Sequence, residues 1–211
     1  EFRRVLFRSA YIPLAIAPDD FSRVFPLLPK MGLRGANVTL PHKEAAFSLV
    51  HHKDAAALAT GAVNTVVWKD GVAHGSNTDV FGFIQSLANV DLTDLAGRPA
   101  VVLGAGGAAR AVVHALQSLG VQLVHVVNRT LERGVVLADF FGAGVEPHSW
   151  NELGAVGAMC GVFVNTTSLG MTGQPDLEVD LSGLPGDAVV CDIVYRPLDT
   201  ALLRAARARG L

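Results

Sequence analysis

Charge is scarce in this chain. Only 17% of its 211 residues are charged, and the formal net charge is -2. No basic run stands out, which excludes a nucleic-acid surface or an anionic membrane as partner on charge grounds. Long apolar runs are missing too. Half of the residues are hydrophobic, yet no run is long enough to span a bilayer. Cysteine is limited to Cys160 and Cys191, which stand far apart without a CxxC or metal-ligand spacing. Each lies in a strand-like apolar run, so both read as small core residues in a reducing compartment, the cytoplasm. The seven histidines show no ligand spacing, and no metal is expected.

The first nine residues, EFRRVLFRS, have neither the pattern nor the cleavage site of a signal peptide. Residues 1–9 read like the translation of a sequencing adapter and are set aside from the fold; the other reading is a basic strand. Natural sequence is then expected to begin near Ala10, with both ends of the chain cut.

What is present alternates between two periodicities. Ala10 to Ile16 reads as a strand. From Pro18 the pattern is helical, with Asp19 and Asp20 favouring a helix start and Phe21, Val24, Phe25 and Leu28 on one face. Gly35 to Leu40 is β-rich, and Pro41 is expected to open the next helix at its first position. A short helix is expected near Asp54 to Leu58. Lys69-Asp70-Gly71 separates two strand-like runs, a hairpin signal, and a helix follows from Asp79 to Ala88. The polar stretch Asp91 to Pro99 is the expected boundary between domains 10–93 and 94–211. Beyond it, apolar strands at Ala100 to Leu103, Leu123 to Val127, Val162 to Asn165 and Ala188 to Ile193 alternate with helical segments. That alternation predicts a parallel sheet covered on both faces.

Leu103 ends the first of these strands, and Gly104-Ala105-Gly106-Gly107-Ala108-Ala109-Arg110 follows directly. Such a turn lets backbone approach a pyrophosphate, which then rests on the N–H groups and positive dipole end of the next helix. The following strand delivers Asn128-Arg129-Thr130, with Arg133 one helical turn on. No acid stands where an NAD enzyme places one for the ribose 2′-hydroxyl. A guanidinium suits a 2′-phosphate instead, so NADP is the expected cofactor; Arg133 can equally be a solvated helix residue. The loop Asn165-Thr166-Thr167-Ser168-Leu169-Gly170-Met171 falls at a strand's carboxyl end, where the nicotinamide should lie, unless it is a plain turn.

The N-terminal half carries three polar clusters at element junctions: NVTLPHK around Lys43, AVNT around Asn64, and GSNTD ending at Asp79. Taken singly, Lys43 is an ordinary surface lysine, Asn64 a turn former and Asp79 a helix N-cap. Taken together, NVTLPHKE, GAVNT, GSNTD, GAGGAAR, NRTLER, NTTSLGM and DIVYRP occur in the order found in shikimate dehydrogenases. The chain resembles that family from Tyr11 to Leu211.

The resemblance implies an α/β fold: a C-terminal Rossmann-like, doubly wound parallel sheet preceded by an incomplete, mostly parallel α/β substrate-binding domain. It implies that Lys43 and Asp79 are catalytic, and that Thr39, Asn64 and Asp79 hold substrate hydroxyls, with Tyr195 bordering the substrate. It assigns Gly104, Ala105, Gly106, Gly107 and Ala108 to the phosphate turn and Asn128, Arg129, Thr130 and Arg133 to the adenosine-phosphate pocket. Thr166, Thr167, Ser168 and Met171 fall beside the nicotinamide. The implied reaction is reversible, NADPH-dependent reduction of 3-dehydroshikimate to shikimate, with Asp79 orienting Lys43. The family's carboxylate-binding serine loop and its C-terminal glutamine helix would lie outside residues 10–211, so the 211-residue chain is expected to be inactive although its parent is an enzyme. A quinate-directed paralogue and a non-catalytic NADP-binding module remain alternatives, and a homodimer is left open.

Overall fold

A two-residue turn sets the geometry of the N-terminal half. Asp70 and Gly71 both have positive φ, 51° and 80°, the type I′ combination that matches the twist of a tight hairpin. In the computed structural model, which describes residues 10–90 and 97–211, this half holds β1 (Gly35–Asn37), β2 (His52–Lys53), β3 (Thr65–Lys69) and β4 (Val72–Ser76). They form one sheet in the order β1-β3-β4-β2. The pairs β1–β3 and β3–β4 are antiparallel; only β2–β4 is parallel. Among the described residues this half is therefore a mixed sheet where a mostly parallel one is expected of the domain; the two-residue turn makes β3 and β4 antiparallel neighbours.

Among the described residues four α-helices accompany this sheet: α1 (Pro18–Val24), α2 (Lys43–Leu49), α3 (Ala55–Thr60) and α4 (Asp79–Ser86). The start of α1 is the expected one, with proline in its first turn and Asp19 and Asp20 behind it. Phe21, Phe25 and Leu28 bury against Val38, Ala46, Val63 and Val66. Asp54 caps α3 by accepting the Ala57 N–H at 2.6 Å. Two expectations fail here. Ala10 to Ile16 is not a strand; Pro13 interrupts it without the N–H that a ladder needs, and Tyr11 and Ile12 are exposed. Pro41 does not open α2, which starts at Lys43; the proline sits in a turn closed by the His42 N–H on the Thr39 carbonyl at 2.9 Å.

The C-terminal half is built from continuous apolar strands. β5 (Ala100–Leu103), β6 (Val124–Asn128), β7 (Val145–Ser149), β8 (Val162–Asn165) and β9 (Val189–Asp192) stand in the order β7-β6-β5-β8-β9, every pair parallel. This is the doubly wound order. Val102, Val124, Val126 and Val164 face α5 (Gly107–Ser118) and α6 (Leu131–Phe141). Val101, Leu103, Val127 and Phe163 face the other way, toward α7 (Leu153–Gly157) and α8 (Ala201–Ala208). The sequence pattern misses β7, whose VEPHS is polar and holds a proline; an edge strand tolerates both.

The halves share packing. Val80, Phe83 and Leu87, on and just after α4, belong to the same core as Val112, Val113 and Leu116 of α5. The adapter-like residues 1–9 and residues 91–96 of the expected boundary lie outside the described residues.

Candidate active site

Three junctions of the N-terminal half converge. The Lys43 carbonyl accepts the Val63 N–H at 2.9 Å, and the Asn64 N–H donates to the Ser76 carbonyl at 3.1 Å. These bonds hold the first residue of α2, the entry to β3 and the exit from β4 together. Lys43 Nζ then donates to Asp79 Oδ2 at 2.7 Å, and Asn64 Nδ2 donates to Asp79 Oδ1 at 2.7 Å. Asn64 Oδ1 is occupied as well, accepting the Thr78 N–H at 3.1 Å and the Thr65 hydroxyl at 2.9 Å. Asn64 is therefore no plain turn former. Nor is Asp79 an N-cap: Thr78 holds that position, and Asp79 is the first residue of α4 with its carboxylate turned to Lys43. Beneath the cluster, buried Asn77 donates to the Thr60 hydroxyl and the Ala62 carbonyl, each at 3.0 Å, and fixes the loop. Lys43 and Asp79 remain partly open, with 16% and 32% of their side chains exposed, so a small molecule can reach them.

The glycine turn faces this cluster. Gly104 has φ 102°, and a Cβ there would lie 2.9 Å from Thr166 Oγ1, so only glycine fits. Gly106 precedes α5 in extended conformation, and a side chain there would meet nothing within 4 Å. That open cradle over the N-terminus of a twelve-residue helix fits a pyrophosphate. Gly107 has a different duty: a Cβ on it would come within 2.9 Å of Lys43 Cβ. The lysine stem thus lies directly on the phosphate turn. One turn further along α5, Arg110 is buried. It reaches the Thr60 carbonyl at 3.3 Å and Glu44 at 3.5 Å, and its guanidinium sits 4.7 Å from the Phe140 ring centre. It ties α5 and α6 to the turn that carries Lys43. In the sequence Arg110 stands out only as the end of a motif, since a helix arginine ordinarily reads as solvated.

At the end of β6, Asn128 Nδ2 donates to the Thr130 carbonyl at 2.7 Å and shapes the loop. Arg129, Thr130 and Arg133 are exposed there, a cationic and hydroxyl donor set that suits a 2′-phosphate, with Glu132 the one acid in the first turn of α6. On the other side of β5, Thr166 donates to the Leu103 carbonyl at 2.6 Å. Buried Asn165, which the sequence marks only as the start of the NTTSLGM loop, accepts the Thr167 N–H and hydroxyl and donates to the Leu169 carbonyl and Asp192. The 165–171 loop is consequently a locked structure and not a plain turn. The Ser168 carbonyl accepts the Met171 N–H at 3.2 Å, and the Thr172 N–H donates to the Arg196 carbonyl at 2.8 Å, which joins this loop to the Tyr195 segment. Tyr195 is 70% exposed. Among the described residues, no side-chain hydrogen bond joins Tyr195 or the exposed Thr39 to the Lys43 cluster.

A lysine held by a carboxylate beside the glycine turn of a doubly wound sheet has the chemistry to give a proton to a carbonyl oxygen as its carbon is reduced, and the chain is of the nicotinamide-dependent oxidoreductase class. Comparison with known proteins narrows this. Residues 1–66 match the model of the shikimate dehydrogenase substrate binding domain, and residues 86–171 match that of shikimate / quinate 5-dehydrogenase. The chain is 50% identical over 204 residues to shikimate dehydrogenase (NADP(+)) of Paramagnetospirillum magneticum, covering 96% of this chain and 74% of that protein. The crystal structure of shikimate dehydrogenase from Aquifex aeolicus superposes with a TM-score of 0.81 at 35% identity, covering 99% of this chain and 76% of that one. Quinate dehydrogenase from Corynebacterium glutamicum, in complex with NAD, gives 0.79 at 34% identity, covering 94% and 72%. The chain belongs to the shikimate dehydrogenase family.

Proposed function

We propose that the enzyme to which these 211 residues contribute reduces 3-dehydroshikimate to shikimate, reversibly, with NADPH; turnover is therefore measured on a full-length reconstruction, not on the 211-residue chain alone. The observation that carries this reading is the Lys43–Asp79–Asn64 cluster seated on Gly107. When bound, NADPH supplies the hydride. A carbonyl oxygen whose carbon has received hydride carries negative charge and needs a proton. Lys43 Nζ has three N–H bonds and gives one to Asp79, leaving two for the substrate oxygen. Asp79 aims the ammonium, and Asn64 holds Asp79 from the other side. Thr39, Asn64 and Asp79 hold the substrate hydroxyls, and Tyr195 borders the ring on the side of the 165–171 loop. Gly104, Ala105, Gly106, Gly107 and Ala108 hold the pyrophosphate. Asn128, Arg129, Thr130 and Arg133 hold the 2′-phosphate, and Thr166, Thr167, Ser168 and Met171 flank the nicotinamide. Residues 10–93 form the substrate domain and 94–211 the NADP domain.

Among the described residues, no helix is long and apolar enough to cross a membrane. Two free cysteines held within the fold support a cytoplasmic enzyme. A homodimer completes the reading, and sedimentation equilibrium distinguishes one chain from two.

The likeness to a quinate dehydrogenase supports a second reading, reduction of 3-dehydroquinate with NADH. Asn128-Arg129-Thr130 at the very end of β6, where an NAD enzyme places its acid, favours the first. Steady-state assays with both acids and both dinucleotides test this: NADPH with 3-dehydroshikimate should give the highest kcat/KM. A higher value for NADH with 3-dehydroquinate would overturn it.

A further inference from the structure

The sheet edge formed by β6 and β7 carries three side chains that the reaction does not use. His125 pairs in register with Glu146, and His148 lies two residues beyond Glu146 on the same face. Their donor atoms converge. His125 Nδ1 is 2.9 Å from His148 Nε2, and Glu146 Oε2 is 3.4 Å from the first and 3.7 Å from the second. We propose that His125, Glu146 and His148 bind one divalent metal ion of the zinc class, at a site separate from the dehydrogenase centre.

The triangle has the right size. Nitrogen and oxygen ligands at about 2.0–2.2 Å from a tetrahedral ion stand about 3.3–3.6 Å apart, and the three observed separations bracket that spacing. Ligand type agrees, since paired imidazoles with one carboxylate suit zinc and its neighbours and not calcium or magnesium. The surroundings agree as well. Glu152 Oε1 lies 3.4 Å from His148 Nδ1, the far ring nitrogen. That carboxylate is itself held by the Ser149 N–H at 2.8 Å and the Ser149 hydroxyl at 2.6 Å. A carboxylate behind a ligating histidine fixes its ring and raises its basicity. His125 and His148 are 8% and 17% exposed, whereas Glu146 is 56% exposed. The fourth coordination position therefore opens to solvent. A bound ion would cross-link the edge strand β7 to β6, the strand that ends at Asn128, and this role is independent of the proposed reaction.

The test uses the whole chain, stripped with a chelator and desalted. Zn2+ is titrated calorimetrically, and Co2+ is followed by its visible absorption. One equivalent should bind, with Co2+ giving the intense bands of tetrahedral coordination. His148→Ala and Glu146→Gln should each lose at least tenfold in affinity, and Glu152→Gln about ten- to a hundredfold. Glu146→Gln changes a solvent-facing group without changing its shape, so it separates ligand loss from misfolding, with circular dichroism as the control. A double variant at the other histidine pair, His52→Ala with His74→Ala, whose rings stack at 4.7 Å, should bind as tightly as the parent. Failure to bind one equivalent of Zn2+, or binding that survives Glu146→Gln and His148→Ala unchanged, or binding lost in the His52/His74 variant, would overturn the proposal.

Discussion

The two halves of this molecule build their parts of the site from different material. In the C-terminal half the working surface is backbone: a left-handed Gly104, an open Gly106 and the N-terminus of α5. In the N-terminal half it is side chains: Lys43, Asn64 and Asp79, each from a different junction and joined by two hydrogen bonds of 2.7 Å. A backbone site needs one contiguous segment with a strand before it and a helix after it. A side-chain site needs a fold to bring distant residues together. The two meet at one point, where Gly107 leaves room for the stem of Lys43.

Gly107→Val strikes that meeting point, and should give the largest effect. Even a Cβ would stand 2.9 Å from Lys43 Cβ, so the lysine or the phosphate turn must shift. A displacement of about 1 Å in such a site costs on the order of a hundredfold in rate. Turnover should fall by at least that much and NADP affinity should weaken with it. Loss of only one of the two, measured by steady-state kinetics and fluorescence titration, would mean that the halves are not coupled through this contact.

Arg129→Ala addresses the C-terminal half alone. A charge-assisted contact to the 2′-phosphate is worth about 1.5–3 kcal/mol, so the preference for NADP over NAD should shrink by roughly ten- to a hundredfold. Affinity for NAD should hardly change. Calorimetric titration with both dinucleotides checks this, and an unchanged ratio would remove Arg129 from the pocket.

Arg110→Ala tests the joint between the halves. The buried guanidinium lies over Phe140 and reaches both Thr60 and Glu44. A desolvated cation–π contact is worth about 2 kcal/mol, and urea denaturation should show a loss of about that size. KM for the substrate should rise as Glu44, next to Lys43, loses its anchor. A variant as stable as the parent would show that the shared apolar core carries the joint unaided.

The mildest perturbation leaves the sequence intact and compares the halves by their thiols. Both free cysteines lie in the C-terminal half, and burial pushes each thiol up to about 11. A thiol held that far above its ordinary value keeps about a hundredth of the usual thiolate. A thiol reagent at mildly alkaline pH should therefore react about a hundredfold more slowly with the folded chain than in urea. Because only the C-terminal half contains thiols, the rate reports opening of that half alone. Fast reaction in the folded state would place the cysteines nearer the surface than the packing of Val101, Phe163 and Cys160 indicates.

The same difference in material decides what can be read from the sequence. β5 and β8 are found at their observed limits, because these doubly covered strands run apolar from Ala100 to Leu103 and from Val162 to Val164. The phosphate turn is legible for the same reason. β7 escapes because an edge strand needs few apolar residues; only Val145 among its five is buried. With β7 unseen, the approach of His125 to His148 cannot be anticipated, since it depends on strand register. The contact of Lys43 with Asp79 has no local signal either, and only the family resemblance points to it. Buried Arg110 and Asn165 look like ordinary polar residues until their partners, distant in sequence, are in place.

Proton delivery is thus assigned to the side chains of one half and dinucleotide binding to the backbone of the other. Lys43→Ala in a full-length reconstruction tests this assignment on a single preparation, because the variant keeps the Cβ that rests against Gly107. NADPH-dependent reduction of 3-dehydroshikimate should fall by about a hundred- to ten-thousandfold, the usual contribution of a positioned acid. The dissociation constant of NADP, titrated in parallel, should stay within about twofold, since the 2′-phosphate and pyrophosphate contacts are untouched. Turnover near that of the parent, or NADP binding lost together with turnover, would contradict the account.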